Sequence, residues 1–123
     1  MSINRVLCSG NLTRDAEIRR TGQGLTIASF CVAVNSRRKN QQSGEWENYP
    51  NYVDVTAFGN KAERCEYGLT KGAKVFIDGE LRWSSWEKDG QKRSKLEVVA
   101  NDIELTKKPE PPQEELYATD LPF

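Results

Sequence analysis

A chain of 123 residues is long enough for one compact domain with a modest core and a short appendage, and too short for two independent domains. It has no histidine and three cysteines, Cys8, Cys31 and Cys65, with no Cys-x-x-Cys pair, so a zinc site or a histidine-based acid–base mechanism has nothing to build on. The 18 Lys and Arg residues balance the 18 Asp and Glu only in total: residues 1–108 hold all 18 cations and 14 acids, a net of +4, while Glu110, Glu114, Glu115 and Asp120 give residues 109–123 a net of −4. That asymmetry fits a polyanion-binding body with a competing acidic extension, although +4 alone equally suits a solvated surface. The odd, widely spaced cysteines read as reduced structural thiols. No apolar run approaches the roughly 18 residues that span a bilayer, and Met1-Ser2-Ile3-Asn4-Arg5 lacks the apolar block of a secretory signal, so the expected location is cytoplasmic.

From the N-terminus, residues 5–12 alternate as a first strand, with Val6, Cys8, Gly10 and Leu12 on one face and Arg5, Leu7, Ser9 and Asn11 on the other. Gly10 marks a bulge or sharp bend. A short extended piece, residues 16–21, leads to Gly22-Gln23-Gly24, which has the composition of a hairpin turn. The next strand, residues 25–35, is apolar on both faces, with Ala28, Phe30, Val32 and Val34 on one and Ile27, Cys31 and Ala33 on the other. Such a strand is covered on both sides, by a barrel interior and by another element or subunit. Residues 36–48 then break the alternation. Arg37-Arg38-Lys39, a polar run, Ser43-Gly44 and Glu45-Trp46-Glu47 read as a loop, a hairpin arm between two long strands. A basic cluster with a tryptophan can clasp a phosphate backbone and stack a base; an ordinary solvated loop with one anchoring ring has the same composition.

Residues 52–58 form the clearest strand, stopping at Gly59, with Val53, Val55 and Ala57 facing the core and Tyr52, Asp54, Thr56 and Phe58 facing outward. From the pattern alone, Phe58 packs under the following helix or against a partner subunit in preference to stacking unpaired bases. That helix is predicted over residues 61–69, with Ala62, Cys65 and Leu69 on one side, Asn60 as N-cap and Gly72 soon after its end. It plugs one end of the barrel. Residues 75–83 alternate again, with Val75, Ile77, Gly79, Leu81 and Trp83 together, Phe76, Asp78, Glu80 and Arg82 opposite, and a bend at Gly79. Asp89-Gly90 is a strong hairpin signal before the last strand, residues 96–105. Trp86 falls near the tip of that arm among cations, a poor place for a core residue.

Five strands, glycine bends and one short helix between the third and fourth strands predict an all-β chain folded as an OB-type barrel rather than a sandwich. The segments Val6 to Leu12, Phe30 to Asn35, Tyr52 to Gly59, the helix with Lys71-Gly72, and Val75 to Arg82 together resemble the bacterial single-stranded DNA-binding protein family over about residues 3–105. Asp120-Leu121-Pro122-Phe123 resembles the acidic Asp-x-Pro-Phe tip by which that family recruits replication, recombination and repair enzymes.

The resemblance implies a non-catalytic protein without cofactor or metal that coats single-stranded DNA, as a homotetramer in the nucleoid; a dimer fits the doubly apolar strand equally well. The family's stacking aromatics fall on Tyr52, Phe58 and Trp86, which reverses the reading of Phe58 from pattern alone. A further stacking position is Arg38, whose guanidinium can stack on a base or pair with phosphate, and Trp46 can add a ring from the same arm. Candidate phosphate contacts are Arg5, Arg37, Lys39, Lys61, Arg82, Lys88, Lys92 and Arg93, with Arg38 among them. The domain division is residues 1–105 for the DNA-binding barrel and residues 106–123 for a Pro- and Glu-rich disordered tail without the long Gly- and Gln-rich linker of many members. At its tip Leu121, Pro122 and Phe123 dock in a partner's apolar pocket while Asp120 and the terminal carboxylate meet a basic rim. Two other readings remain: an OB module acting chiefly through protein contacts, and a metal-dependent nuclease, for which the scattered carboxylates offer no acidic constellation.

Overall fold

The computed structural model describes residues 2–106. Six strands and a short helix follow in the order β1 (Val6–Leu12), β2 (Glu17–Arg20), β3 (Thr26–Lys39), β4 (Trp46–Phe58), α1 (Asn60–Cys65), β5 (Lys74–Lys88) and β6 (Gln91–Leu105), with a 3-10 turn over Glu66–Gly68. Strand β1 pairs antiparallel with β5, β5 with β6, and β4 with β3; β6 and β4 run parallel through Val55↔Val98 and Thr56↔Val99. Strand β3 returns to β1 through Asn11↔Ala33 and Leu12↔Val32, so five strands close on themselves. The predicted five-stranded OB barrel is there, with its helix between the third and fourth barrel strands. The short extended piece before Gly22 adds β2, a sixth strand that among the described residues pairs only with β3.

Period-two alternation sends one side of every barrel strand inward. Leu12, Ala28, Phe30, Val32, Val55, Ala57, Val75, Ile77, Val98, Ala100 and Ile103 meet in one core, with Val6, Cys8, Val34 and Val53 at its margin. Ala62, Cys65 and Leu69 complete it from the helical side, as their spacing predicts. The second face of β3 is covered in part: Cys31 is buried, Ile27 and Ala33 half-buried. Burial pushes the Cys8 and Cys65 thiols up from the ordinary thiol range, at Cys65 against the lowering effect of the Arg64 cation, so both stay protonated and weakly reactive at neutral pH.

Two local expectations are corrected. Asn60 is the first helical residue, not the cap; Gly59 holds that position with φ 65°, and its carbonyl accepts from Ala62 N at 3.0 Å and Glu63 N at 2.9 Å. The segment 36–48 is mostly strand: β3 and β4 stay paired out to Lys39↔Trp46, leaving only residues 40–45 as the turn. That turn is tied by Asn40 N donating to Glu45 O at 2.7 Å and by the Asn40 carboxamide oxygen accepting from Gln42 N and Ser43 N. Polar composition concealed the strand because an arm that projects beyond the barrel has no core to face. Leu81 and Trp83 stand on the core-facing side of β5 as their parity requires, yet they are 45% and 63% exposed. Beyond the register shift at Asp78/Gly79 the β5–β6 ribbon also leaves the barrel, which carries both side chains away from the core. The arm ends in the two-residue turn Asp89-Gly90, both at positive φ (53° and 77°), as the dipeptide predicts.

Barrel closure depends on two glycines. A Cβ on Gly10 would run into the Ala33 carbonyl oxygen and Val32 Cγ1, and one on Gly79 into the Val99 carbonyl oxygen and Val98 Cγ1. Backbone is packed on backbone at both points. Gly10→Ala is expected to destabilise the fold by about 1–3 kcal/mol, the usual cost of overpacking, and to lower Tm accordingly in a thermal melt followed by circular dichroism. Gly22→Ala, where a Cβ meets no atom within 4 Å, is the control and should change stability by less than about 0.5 kcal/mol.

Candidate nucleic-acid interface

Strand register decides which side chains share a surface. On the β3–β4 ribbon the pairs Ile27↔Phe58, Cys31↔Asp54, Ala33↔Tyr52, Arg37↔Asn48 and Lys39↔Trp46 point away from the core. On the β5–β6 ribbon the outward pairs are Arg82↔Glu97, Ser84↔Lys95, Trp86↔Arg93 and Lys88↔Gln91. The parallel contact between β4 and β6 joins the two outer surfaces beside Thr56 and Phe58. One continuous face therefore carries Trp46, Tyr52, Phe58 and Trp86 together with Arg37, Lys39, Arg82, Lys88, Arg93 and Lys95. Trp46, Tyr52 and Trp86 are 59%, 68% and 44% exposed; Phe58 is half-buried, with the Arg82 guanidinium 5.3 Å from its ring centre.

Beneath that guanidinium lies a carboxylate. Glu97, whose side chain is only 12% exposed, accepts the Thr56 hydroxyl at 2.6 Å, with Arg82 Nη2 at 3.8 Å and Lys95 Nζ at 3.7 Å. Beside it, Arg14, Glu17, Arg19, Ser29, Asp54 and Lys95 line an open cleft of about 260 Å³. Arg14, Arg19 and Lys95 were absent from the predicted phosphate contacts. Lys95 was recoverable from the sequence: reflecting the chain about the Asp89-Gly90 turn sets it opposite Ser84, on the Trp86 side. Arg19 required the β2–β3 pairing, which composition alone does not fix.

The remaining predicted residues lie elsewhere. Arg38 is on the reverse of its arm, its guanidinium 4.3 Å from the centre of the Tyr49 ring, an aromatic that the sequence reading passed over. Lys92 shares the reverse of the other arm with Trp83, whose cross-strand neighbour is Leu96. Lys61 is exposed on α1, off both ribbons. Arg5 forms a two-pronged pair with Asp78, at 3.0 and 3.2 Å, on the β1–β5 side of the barrel. There Leu7 (68% exposed) and Phe76 (44%) flank a groove of about 360 Å³ rimmed by Asp78, Asp102 and Glu104. The tip Asp120, Leu121, Pro122 and Phe123, and the tail after Thr106, lie outside the described residues. Among the described residues no group of three or more acidic or cysteine side chains is arranged to hold a metal ion, and no helix is long and apolar enough to cross a membrane.

Comparison with known proteins gives concordant matches. The chain is 41% identical over 103 residues to the single-stranded DNA-binding protein of Treponema pallidum, covering 84% of this chain and 57% of that protein. It is 37% identical over 118 residues to a single-stranded DNA-binding protein of Staphylococcus aureus, covering 94% and 74%. The wild-type single-stranded DNA-binding protein of Thermus aquaticus superposes with a TM-score of 0.72 at 33% identity, over 85% of this chain and 50% of that one. The Plasmodium falciparum SSB, solved in complex with single-stranded DNA, shares the fold with a TM-score of 0.72 at 20% identity, over 85% of this chain and 94% of that one. The chain thus spans about half the length of the Treponema and Thermus proteins. Residues 3–106, the whole barrel with both arms, match the family model described as the single-strand binding protein family, and to that family the chain belongs.

Proposed function

We propose that this protein binds and protects single-stranded DNA without regard to sequence and without catalysis. The observation that carries the reading is the single outer face that holds four aromatic rings and six cations across both arms. Base stacking accepts any base, because every base has a π face, and duplex DNA hides those faces. Tyr52, Phe58, Trp86 and Trp46 are the stacking groups. Arg37, Lys39, Arg82, Lys88, Arg93, Lys95 and the cleft residues Arg14 and Arg19 neutralise phosphates. The Arg38–Tyr49 pair offers a further stacking surface on the reverse of its arm. Arg5, Lys61 and Lys92 contribute less, since one is paired with Asp78 and the others lie off the main face. The barrel and its arms are the DNA-binding domain, and residues after 106 act as a tail. The Asp120-Leu121-Pro122-Phe123 tip recruits replication, recombination and repair proteins. The Leu7 and Phe76 groove is the surface for assembly into a homotetramer; its exposed apolar side chains lose water on contact with a second copy.

Titration with oligo-dT, followed by tryptophan fluorescence, is expected to show quenching at sub-micromolar protein. The dependence of log K on log salt should steepen by about 0.7 for each phosphate contacted. Trp86→Ala and Phe58→Ala should each weaken binding by about 1–3 kcal/mol. Weak binding at low salt, or binding unchanged in both variants, would leave the protein-contact module as the better reading. Sedimentation equilibrium tests assembly: Leu7→Arg should shift the wild-type oligomer toward monomer, and an unaltered mass would remove that groove from the interface. For the tip, deletion of Phe123 should abolish retention of replication and repair proteins while leaving oligo-dT affinity intact; undiminished retention would sink the recruiting role.

A further inference from the structure

We infer that Glu97 is a positioning residue for single-strand binding: in the free protein it holds Arg82 across the face of Phe58, and a base reaches that ring only by moving the guanidinium onto a phosphate. The inference rests on the function proposed above. Stacked rings sit with centres about 4.5–7 Å apart, and the guanidinium, 5.3 Å from the ring centre, already occupies that range. Base and guanidinium therefore compete for one surface.

The carboxylate is built for such an exchange. Its hydrogen bond from the buried Thr56 hydroxyl, 2.6 Å long, fixes it to β4, two residues from Phe58, while its own strand sets Arg82 directly opposite. The contact to Arg82 is 3.8 Å, an ion pair without a hydrogen bond, so the guanidinium separates from it readily. Lys95 Nζ, 3.7 Å away, remains when Arg82 leaves, so the largely buried acid is not stranded without a cation. An acid on a phosphate-binding face works against binding unless it does something for the free state. Here it keeps a half-buried aromatic capped until DNA supplies both a base for Phe58 and a phosphate for Arg82.

Glu97→Gln tests this, because the amide oxygen still accepts from Thr56 while the charge is removed. In the free wild-type chain the Arg82 Nε–H proton resonance should carry the ring-current shift of Phe58. In Glu97→Gln it should move toward the position of an exposed arginine. Glu97→Gln should also bind oligo-dT about two- to fivefold more tightly, the scale of a partly exposed ion pair. The gain should vanish when Arg82→Gln is added. Asp54→Asn, which removes one negative charge from an exposed site on the same face, should give a smaller gain. An unmoved Arg82 resonance, weaker binding by Glu97→Gln, a gain that survives Arg82→Gln, or an equal gain in Asp54→Asn would each overturn the inference. Failure of the wild-type chain to bind oligo-dT at low salt would overturn the proposed function instead, and the resonance would still decide whether Glu97 positions Arg82.

Discussion

The close approach of backbone to backbone at Gly10 and Gly79 is the constraint on which the structure depends. At Gly10, β1 lies against the Ala33 carbonyl and so turns from its partner β5 toward β3, which closes the ring. At Gly79, β5 lies against the Val99 carbonyl just where β6 skips a residue, and the ribbon beyond swings clear of the barrel. A closed sheet has no free edge in its body, so exposed pairing groups are confined to the arms and to β2. Both consequences follow from the absence of a single carbon at each position.

Closure also separates two kinds of surface that a flat sheet would have mixed. Inward positions are apolar, and fill the barrel with Leu12, Phe30, Val32, Val55 and Val75. Outward positions on the arms have no core to serve, which frees them for aromatic rings and cations. The parallel contact between β4 and β6 makes the two arms share one outer face, so Phe58 from one ribbon meets Arg82 from the other. Glu97 and Thr56 sit at that seam, where the low exposure of both groups makes their hydrogen bond and the nearby charges less screened than on the arms. The β1–β5 side is chemically different: Leu7 and Phe76 stand among Asp78, Asp102 and Glu104, and Arg5 is paired there with Asp78.

Much of this was legible from residues 52–58 and their neighbours, because period-two alternation reports a half-buried strand directly, and because Asp89-Gly90 and the two strand glycines announce turns and bends. Tyr52, Phe58 and Trp86 were readable as candidate stacking groups by parity and resemblance together. The arms were less readable. Residues 36–48 look like a loop since a strand exposed on both sides needs no apolar alternation, and the parity that Leu81 and Trp83 share with the core residues of β5 does not reveal that the ribbon has left the barrel where they stand. Asn60 resembles a cap, whereas Gly59 takes the position through a backbone conformation that only the tertiary fold reveals.

The sequence by itself determined the barrel strands, their inward faces and the membership of the chain in a family, for these depend on local spacing and on ordered motifs along the chain. Only the tertiary structure decided which cations share the aromatic face. Arg14 and Arg19 join it through the neighbouring cleft, while Arg5 is drawn to Asp78 and Arg38 to Tyr49. The physical reason is that charge acts through space: a cation's partner is set by strand register and by the twist and closure of the barrel, none of which is encoded at any one position in the chain.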